Sequence, residues 1–311
     1  MPRFSLPRAR FELKTDSPYS LERTAGRFAR FVERVDVVRD GVYERLLWLG
    51  REALLVRARQ VGPPSRPRLE LQLVGKPARR RAARAAAEEL AERVLGTRHR
   101  LRAFYRQAAG DPLLSEAVRA ERGLGLAGHA SLFEALVTSI LSQQINLSFA
   151  YSIRAELVEA FGRRARIEGE TRFAFPSPRR LARESAEELR RFRLSEAKAR
   201  ALHGVSRAFA SGELDEDELR ALDDEAVVER LTALRGVGRW TAETALIRGL
   251  GRIDAFPAGD LGVVKYLARG LLGHRESASE AEMRAFSERW RPFRSYALIY
   301  AYAELARRRR E

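Results

Sequence analysis

At 311 residues, with 45% hydrophobic and 32% charged residues, the chain is long enough for two domains, each with its own core, and too apolar to be disordered. Its 58 Lys+Arg against 42 Asp+Glu leave a formal charge of +16, which points to an anionic partner, nucleic acid first, although all but four of the basic residues are arginine and a GC-rich coding sequence produces the same bias. Having no cysteine excludes disulfides, thiol catalysis, Cys-ligated zinc and iron–sulfur clusters, and four scattered histidines (His99, His129, His203, His274) without H-x-x-x-H spacing argue against a catalytic zinc. No window reaches the ~18 apolar residues of a membrane span, and the basic stretch Met1–Arg10 has no apolar run behind it. Neither a membrane segment nor a secretory signal is expected, and the location expected is cytoplasmic.

Residues 1–98 read as a small α/β module. Ser20–Val32 has a helical pattern, Tyr43–Leu49 and Glu52–Arg59 read as strands around Gly50-Arg51, and Arg68–Val74 alternates with Leu69, Leu71 and Leu73 on one face. Pro77–Leu95 then reads as a helix with proline in its first turn. Residues 99–311 read as almost wholly helical. The expected helices are Leu132–Leu141, Ser148–Phe161, Pro178–Arg190, Ser195–Ala210, Asp215–Ala221, Asp224–Leu234, Thr241–Gly249, Gly262–Leu272, Glu280–Trp290 and Ser295–Arg308, several of them opened by Ser, Asp or Pro. The fold class is therefore α+β: an antiparallel sheet with helices, followed by a helical domain. The acidic run Glu213–Glu229 reads as a solvated face, and Arg307–Arg310 as a helix end favoured by the macrodipole.

The informative segment is Leu231-Thr-Ala-Leu-Arg-Gly-Val-Gly-Arg-Trp-Thr-Ala-Glu-Thr-Ala-Leu246. It reads as a helix, a turn at Gly236-Val237-Gly238, and a second helix from about Thr241. Glycine permits a tight turn and close approach of backbone to a ligand, and the free amides opening the second helix suit a phosphate. A single G-V-G is weak evidence, since a plain helix C-cap also uses glycine.

The whole string resembles the hairpin of the helix-hairpin-helix DNA glycosylases, L-P-G-[VI]-G-x-x-T-A, with Arg235 in place of the proline. Phe256-Pro-Ala-Gly-Asp-Leu-Gly262 resembles the family's segment around its catalytic aspartate, Ile140-Leu-Ser-Gln-Gln-Ile145 its I-L-x-Q-Q-I, and Trp290-Arg-Pro-Phe-Arg-Ser-Tyr-Ala297 its W-x-P-[WYF]-R-S-Y-A. Four motifs in order cover roughly residues 130–305. The N-terminal module, the lack of a four-cysteine cluster, and Trp240 where bifunctional relatives carry a Schiff-base lysine make the likeness strongest to the 3-methyladenine glycosylase II (AlkA-like) enzymes.

That resemblance implies a monofunctional glycosylase of base excision repair, monomeric, which flips an alkylated purine out of damaged double-stranded DNA and hydrolyses its N-glycosidic bond. It implies that Asp260 stabilises the oxocarbenium-like sugar; taken alone, the residue reads as the N-cap of the following helix. Trp240, Tyr302 and Thr244 are the implied pocket residues, Tyr302 in place of a tryptophan and Thr244 in place of a tyrosine; core packing is the other reading of the two aromatics. Gly236, Val237, Gly238, Arg239, Thr241, Gln143 and Gln144 are the implied DNA contacts, with Gln144 filling the gap left by the flipped base. The carbonyls of Thr232, Leu234 and Val237 are the implied holders of Na+ or K+; no organic cofactor is implied. A glycosylase for oxidised or deaminated bases, and a non-catalytic damage-binding protein, are the alternatives.

Overall fold

The computed structural model describes residues 6–98, 101–269 and 277–308. The N-terminal half is built on an antiparallel five-stranded sheet, order β1-β5-β4-β3-β2, from β1 (Arg8–Lys14), β2 (Val37–Arg39), β3 (Val42–Leu49), β4 (Glu52–Val61) and β5 (Arg68–Val74). The last three are the strands expected from the sequence, β5 by its alternation. β1 repeats that pattern, Ala9, Phe11 and Leu13 alternating with charges, and pairs with β5 as a charged edge. The expected helix over Ser20–Val32 is cut short: α1 (Leu21–Ala25) is capped by the Ser20 side chain and stops at Gly26, and a single 3₁₀ turn follows at Phe28–Arg30. Helix α2 (Arg81–Leu95) lays Ala83, Ala87, Leu90, Ala91 and Val94 on the sheet face carrying Leu54, Val56, Leu69, Leu71 and Leu73.

The helical half holds α3 (Leu101–Ala108), α4 (Ser115–Ala120), α5 (Leu132–Ser142) and α6 (Leu147–Phe161). After these come the hairpin β6 (Arg164–Ile167) and β7 (Glu170–Phe173), then α7 (Pro178–Leu181), α8 (Ala186–Arg190), α9 (Glu196–Ser211), α10 (Glu216–Ala221), α11 (Asp224–Thr232) and α12 (Arg239–Gly249). A π-helical turn at Gly262–Leu267 precedes α13 (Glu280–Ser287), a 3₁₀ turn at Glu288–Trp290 and α14 (Arg294–Arg308). The single helix expected over Pro178–Arg190 is two, because Ser185 starts α8 with its own capping box. The β hairpin was not foreseen. Glu168 and Gly169 take positive φ at its turn, and Ile167 closes the outer face of the sheet against Leu46, Leu55 and Val74. His99, His274, Leu272 at the end of one expected helix, Met1–Ser5 and the tail beyond Arg308 lie outside the described residues.

The two halves meet across a buried ionic network. Arg45 of β3 pairs with Asp36 at 2.7 Å and with Glu134 of α5; Arg154 of α6 pairs with Glu134 and Glu33; His129 Nδ1 lies 3.4 Å from Glu134. α5 in turn packs on α12, where Gly249 lies so close to Leu132 that a Cβ would sit 2.8 Å from its Cα. The core of the helical half thus holds α12 and α14 on either side of the segment bearing Asp260.

Candidate active site

Asp260 sits just before the π-helical turn and accepts three hydrogen bonds. Trp240 Nε1 donates to Oδ2 at 2.7 Å, the Tyr302 hydroxyl to Oδ1 at 2.6 Å, and the Gly262 amide to Oδ1 at 2.8 Å. Its carbonyl also accepts from the Val264 amide at 2.9 Å, so the residue does open a helix, as its N-cap reading expected. A cap, however, needs neither the indole nor the phenol. These two donors come from α12 and α14, and their meeting on one carboxylate is a property of the tertiary fold. Gly262, which sequence reasoning passed over although it closes the motif, is required by space: a Cβ there would lie 2.6 Å from the Tyr302 hydroxyl and 2.9 Å from Asp260 Oδ1. Burial, and then the neighbouring Asp260, push the Tyr302 hydroxyl well above the ordinary tyrosine range, so it stays a donor. The π turn beginning at Gly262 is a distortion common at functional sites.

Trp240 and Thr244 lie one turn apart on α12, both half-buried, on the face turned toward Asp260. Glu243, between them in sequence, is buried and bridges Arg239 to Arg284 of α13.

The turn before α12 divides the work of its glycines. Gly236 has φ +85°, and a Cβ there would meet the Ala201 Cβ of α9 at 2.6 Å; it is required by conformation and packing. Gly238 has φ −89°, caps α12 without a side chain, and has open space where a Cβ would go. Packing within the protein thus accounts for Gly236, whereas at Gly238 nothing in the protein excludes a side chain. Val237 is buried. Behind Gly238 the amides of Arg239, Trp240 and Thr241 open the helix, with no carbonyl one turn back to accept them.

Two of the expected DNA contacts, Thr241 and Gln143, have side chains turned toward each other. Thr241 is buried and accepts from Gln143 Nε2 at 3.0 Å; Gln143 also donates to the Gly236 carbonyl at 3.0 Å, tying α5 to the turn. Arg239 is held by Glu225 and Glu243. Thr241 leaves only its backbone for a DNA contact, whereas the Arg239 side chain is exposed in its pair with Glu225. Gln144 is exposed and held at φ +55°, a left-handed conformation that glutamine rarely adopts and that lifts it off the end of α5. Leu147 and Phe149 are exposed beside it in sequence. Of the cation carbonyls, that of Leu234 already accepts the Val237 amide at 3.1 Å and keeps one lone pair, while the Thr232 hydroxyl is spent on Glu229.

Residues 137–292, half the chain, match the family model described as HhH-GPD superfamily base excision DNA repair protein. The chain belongs to this family. Among relatives of the HhH-GPD protein, a DNA-3-methyladenine glycosylase of Bacillus subtilis (strain 168) is 35% identical over 202 residues, 65% of this chain and 66%, just under two thirds, of that protein. DNA-3-methyladenine glycosylase 2 of Escherichia coli (strain K12) is 28% identical over 278 residues, 88% of this chain and 89% of that one. The solved 3-methyladenine DNA-glycosylase from Archaeoglobus fulgidus superposes with a TM-score of 0.80 at 28% identity, covering 95% of this chain and 98% of that one. The HhH-GPD match takes in the Gln143-Gln144 loop, the glycine turn and Asp260, while the sheet with its helix α2 lies outside it.

Proposed function

We propose that the chain is a monofunctional DNA glycosylase that flips alkylated purines from damaged duplex DNA and releases them by hydrolysis. The observation that carries this reading is the Asp260 carboxylate gripped by Trp240, Tyr302 and Gly262 beside a glycine turn built for a phosphate. Breaking the N-glycosidic bond places oxocarbenium character on the sugar, and a carboxylate fixed by three donors stabilises that charge without reorganising. The fixed orientation also lets it align a water. An alkylated purine bears positive charge, so it leaves readily and gains from the π faces of Trp240 and Tyr302. No general acid is then required, and Glu243, on the helix that carries Trp240, is spent on two arginines.

The free amides of α12 take one phosphate, with Gly238 admitting it and Gln144 entering the stack from the other side. The Thr232, Leu234 and Val237 carbonyls, neutral oxygen donors, would hold Na+ or K+, which would supply positive charge for a phosphate. Trp240 cannot attack the sugar as an amine would, which supports simple hydrolysis over strand cleavage. The names of similar proteins support the alkylpurine substrate. The reading takes residues 1–98 as the supporting module, 99–311 as the glycosylase domain, and the working form as a monomer. Incubating methylated duplex with the protein, then revealing abasic sites with heat or alkali, tests it: free alkylpurines and alkali-labile sites are expected, and intact DNA would refute it.

A further inference from the structure

Trp240, Thr244 and Arg248 follow one another at four-residue spacing along a single face of α12, each half-buried. The first grips Asp260, and the last lies within electrostatic reach of Tyr302, the other side chain that does so. Sequence reasoning passed over Arg248, though this spacing was legible. Its Nη1 donates to the Ala127 carbonyl at 2.6 Å. The same carbonyl accepts Nη1 of Arg27 at 2.9 Å, and Arg27 Nη2 donates to the Tyr151 hydroxyl at 3.2 Å.

Two guanidinium groups therefore converge on one neutral carbonyl, and neither forms an ion pair with a described residue. Elsewhere the buried arginines Arg45 and Arg154 each hold two carboxylates. Arg248 is half-buried and retains open surface, and burial, then the charge of Arg27, lower its pKa to about 9. Its Nε and Nη2 groups bond to no described residue and are free to donate to an electron-rich group brought to that surface.

We infer that Arg248 is a specificity-determining residue at the floor of the base pocket, donating past the short Thr244 side chain to a carbonyl oxygen of the flipped base. The inference rests on the proposed glycosylase reading and deepens it. The ligand chemistry is a purine carrying a 6-keto oxygen, as in 7-methylguanine, whose cationic imidazole ring then lies against the aromatic side chains. A 6-amino purine such as 3-methyladenine turns N–H groups toward the guanidinium and gains nothing there.

DNA methylated with dimethyl sulfate contains both bases, so their release can be followed in one reaction, and the ratio of the two rate constants is internally controlled. In Arg248→Met the 7-methylguanine to 3-methyladenine ratio is expected to fall about tenfold or more. Thr244→Tyr, which leaves Arg248 in place and closes the passage to it, is expected to lower the ratio likewise, and it carries the test if Arg248→Met does not fold. A purely structural role lowers both rates together. A ratio unchanged in both variants overturns the assignment while leaving the glycosylase reading intact; release of neither base by the parent protein overturns both.

Discussion

Asp260 shows how one side chain serves two purposes at once. Its backbone position opens a helix, and its carboxylate collects donors from two other helices. Replacing it with asparagine keeps the size and removes the charge. Base release by Asp260→Asn is expected to fall on the order of 10²–10³-fold, with duplex affinity within about threefold of the parent, in single-turnover and anisotropy measurements. Full turnover in the variant would remove the carboxylate from the mechanism. The neighbouring Trp240 carries a second expectation. With an indole at the nucleophile position, borohydride should trap no protein–DNA adduct and the product strand should stay intact until alkali is added. The amines nearest in sequence are Lys198, which donates to the Leu141 carbonyl at 2.9 Å, and the exposed Lys265. A trapped adduct would direct attention to one of those two.

At the scale of elements, the turn between α11 and α12 separates folding from binding. Gly238 is the N-cap of α12, and aspartate is a preferred N-cap, so Gly238→Asp should fold at least as stably as the parent. Its carboxylate would occupy the amides a phosphate needs and repel that phosphate. Affinity for lesion and plain duplexes should fall alike, and the log–log salt slope should become shallower by about 0.9 for each phosphate no longer engaged. Normal binding at every salt concentration would make the turn a mere connector. Gly236→Val should do the opposite. With φ +85° and Ala201 in its way, it should lose about 1–3 kcal/mol in urea unfolding, which the denaturation midpoint reads directly.

At the scale of the whole molecule, the sheet half reaches the site through the buried network on α5. Glu134 anchors that helix to Arg45 and Arg154, and nine residues on, Gln143 clasps the glycine turn. His129 is enclosed with them; burial lowers its pKa from 6.5 to about 4, against the pull of Glu134 and with the help of Arg154 and Arg27. The unfolded chain thus takes up this proton near pH 6.5 and the native one only near pH 4. Stability should fall as pH drops through that window, by on the order of 3 kcal/mol in total. Burial alone would raise the Glu134 pKa, but Arg45, His129 and Arg154 hold it well below the ordinary range, so its own loss comes at lower pH. Urea unfolding between pH 7 and pH 4.5 should show the slope, and His129→Gln should flatten it. The same slope in the variant would assign the effect to another group.

Much of this protein was legible without coordinates because its signals are local. β-like composition around a Gly-Arg turn marked β3 and β4, alternation marked β5, capping residues marked several helices, and the motif around Asp260 lies within seven consecutive residues. The two-glycine turn was legible for the same reason, since helix ends and tight turns are decided by neighbours in the chain. What the sequence could not assign were roles that depend on which distant surfaces meet. Gln143 and Gln144 are adjacent and chemically identical, yet one is drawn inward to the Gly236 carbonyl and the other stands outside at positive φ. Gly236 and Gly238 look equivalent until α9 is packed behind only one of them. The β6–β7 hairpin exists because the outer face of the sheet needs a cover, and Arg248 meets Arg27 across 221 positions of chain only once both halves have closed. Periodicity and capping are written in spacings of two to four residues; a hydrogen bond between α12, α14 and the loop they enclose is written in none of them, and only burial of the two cores brings it about.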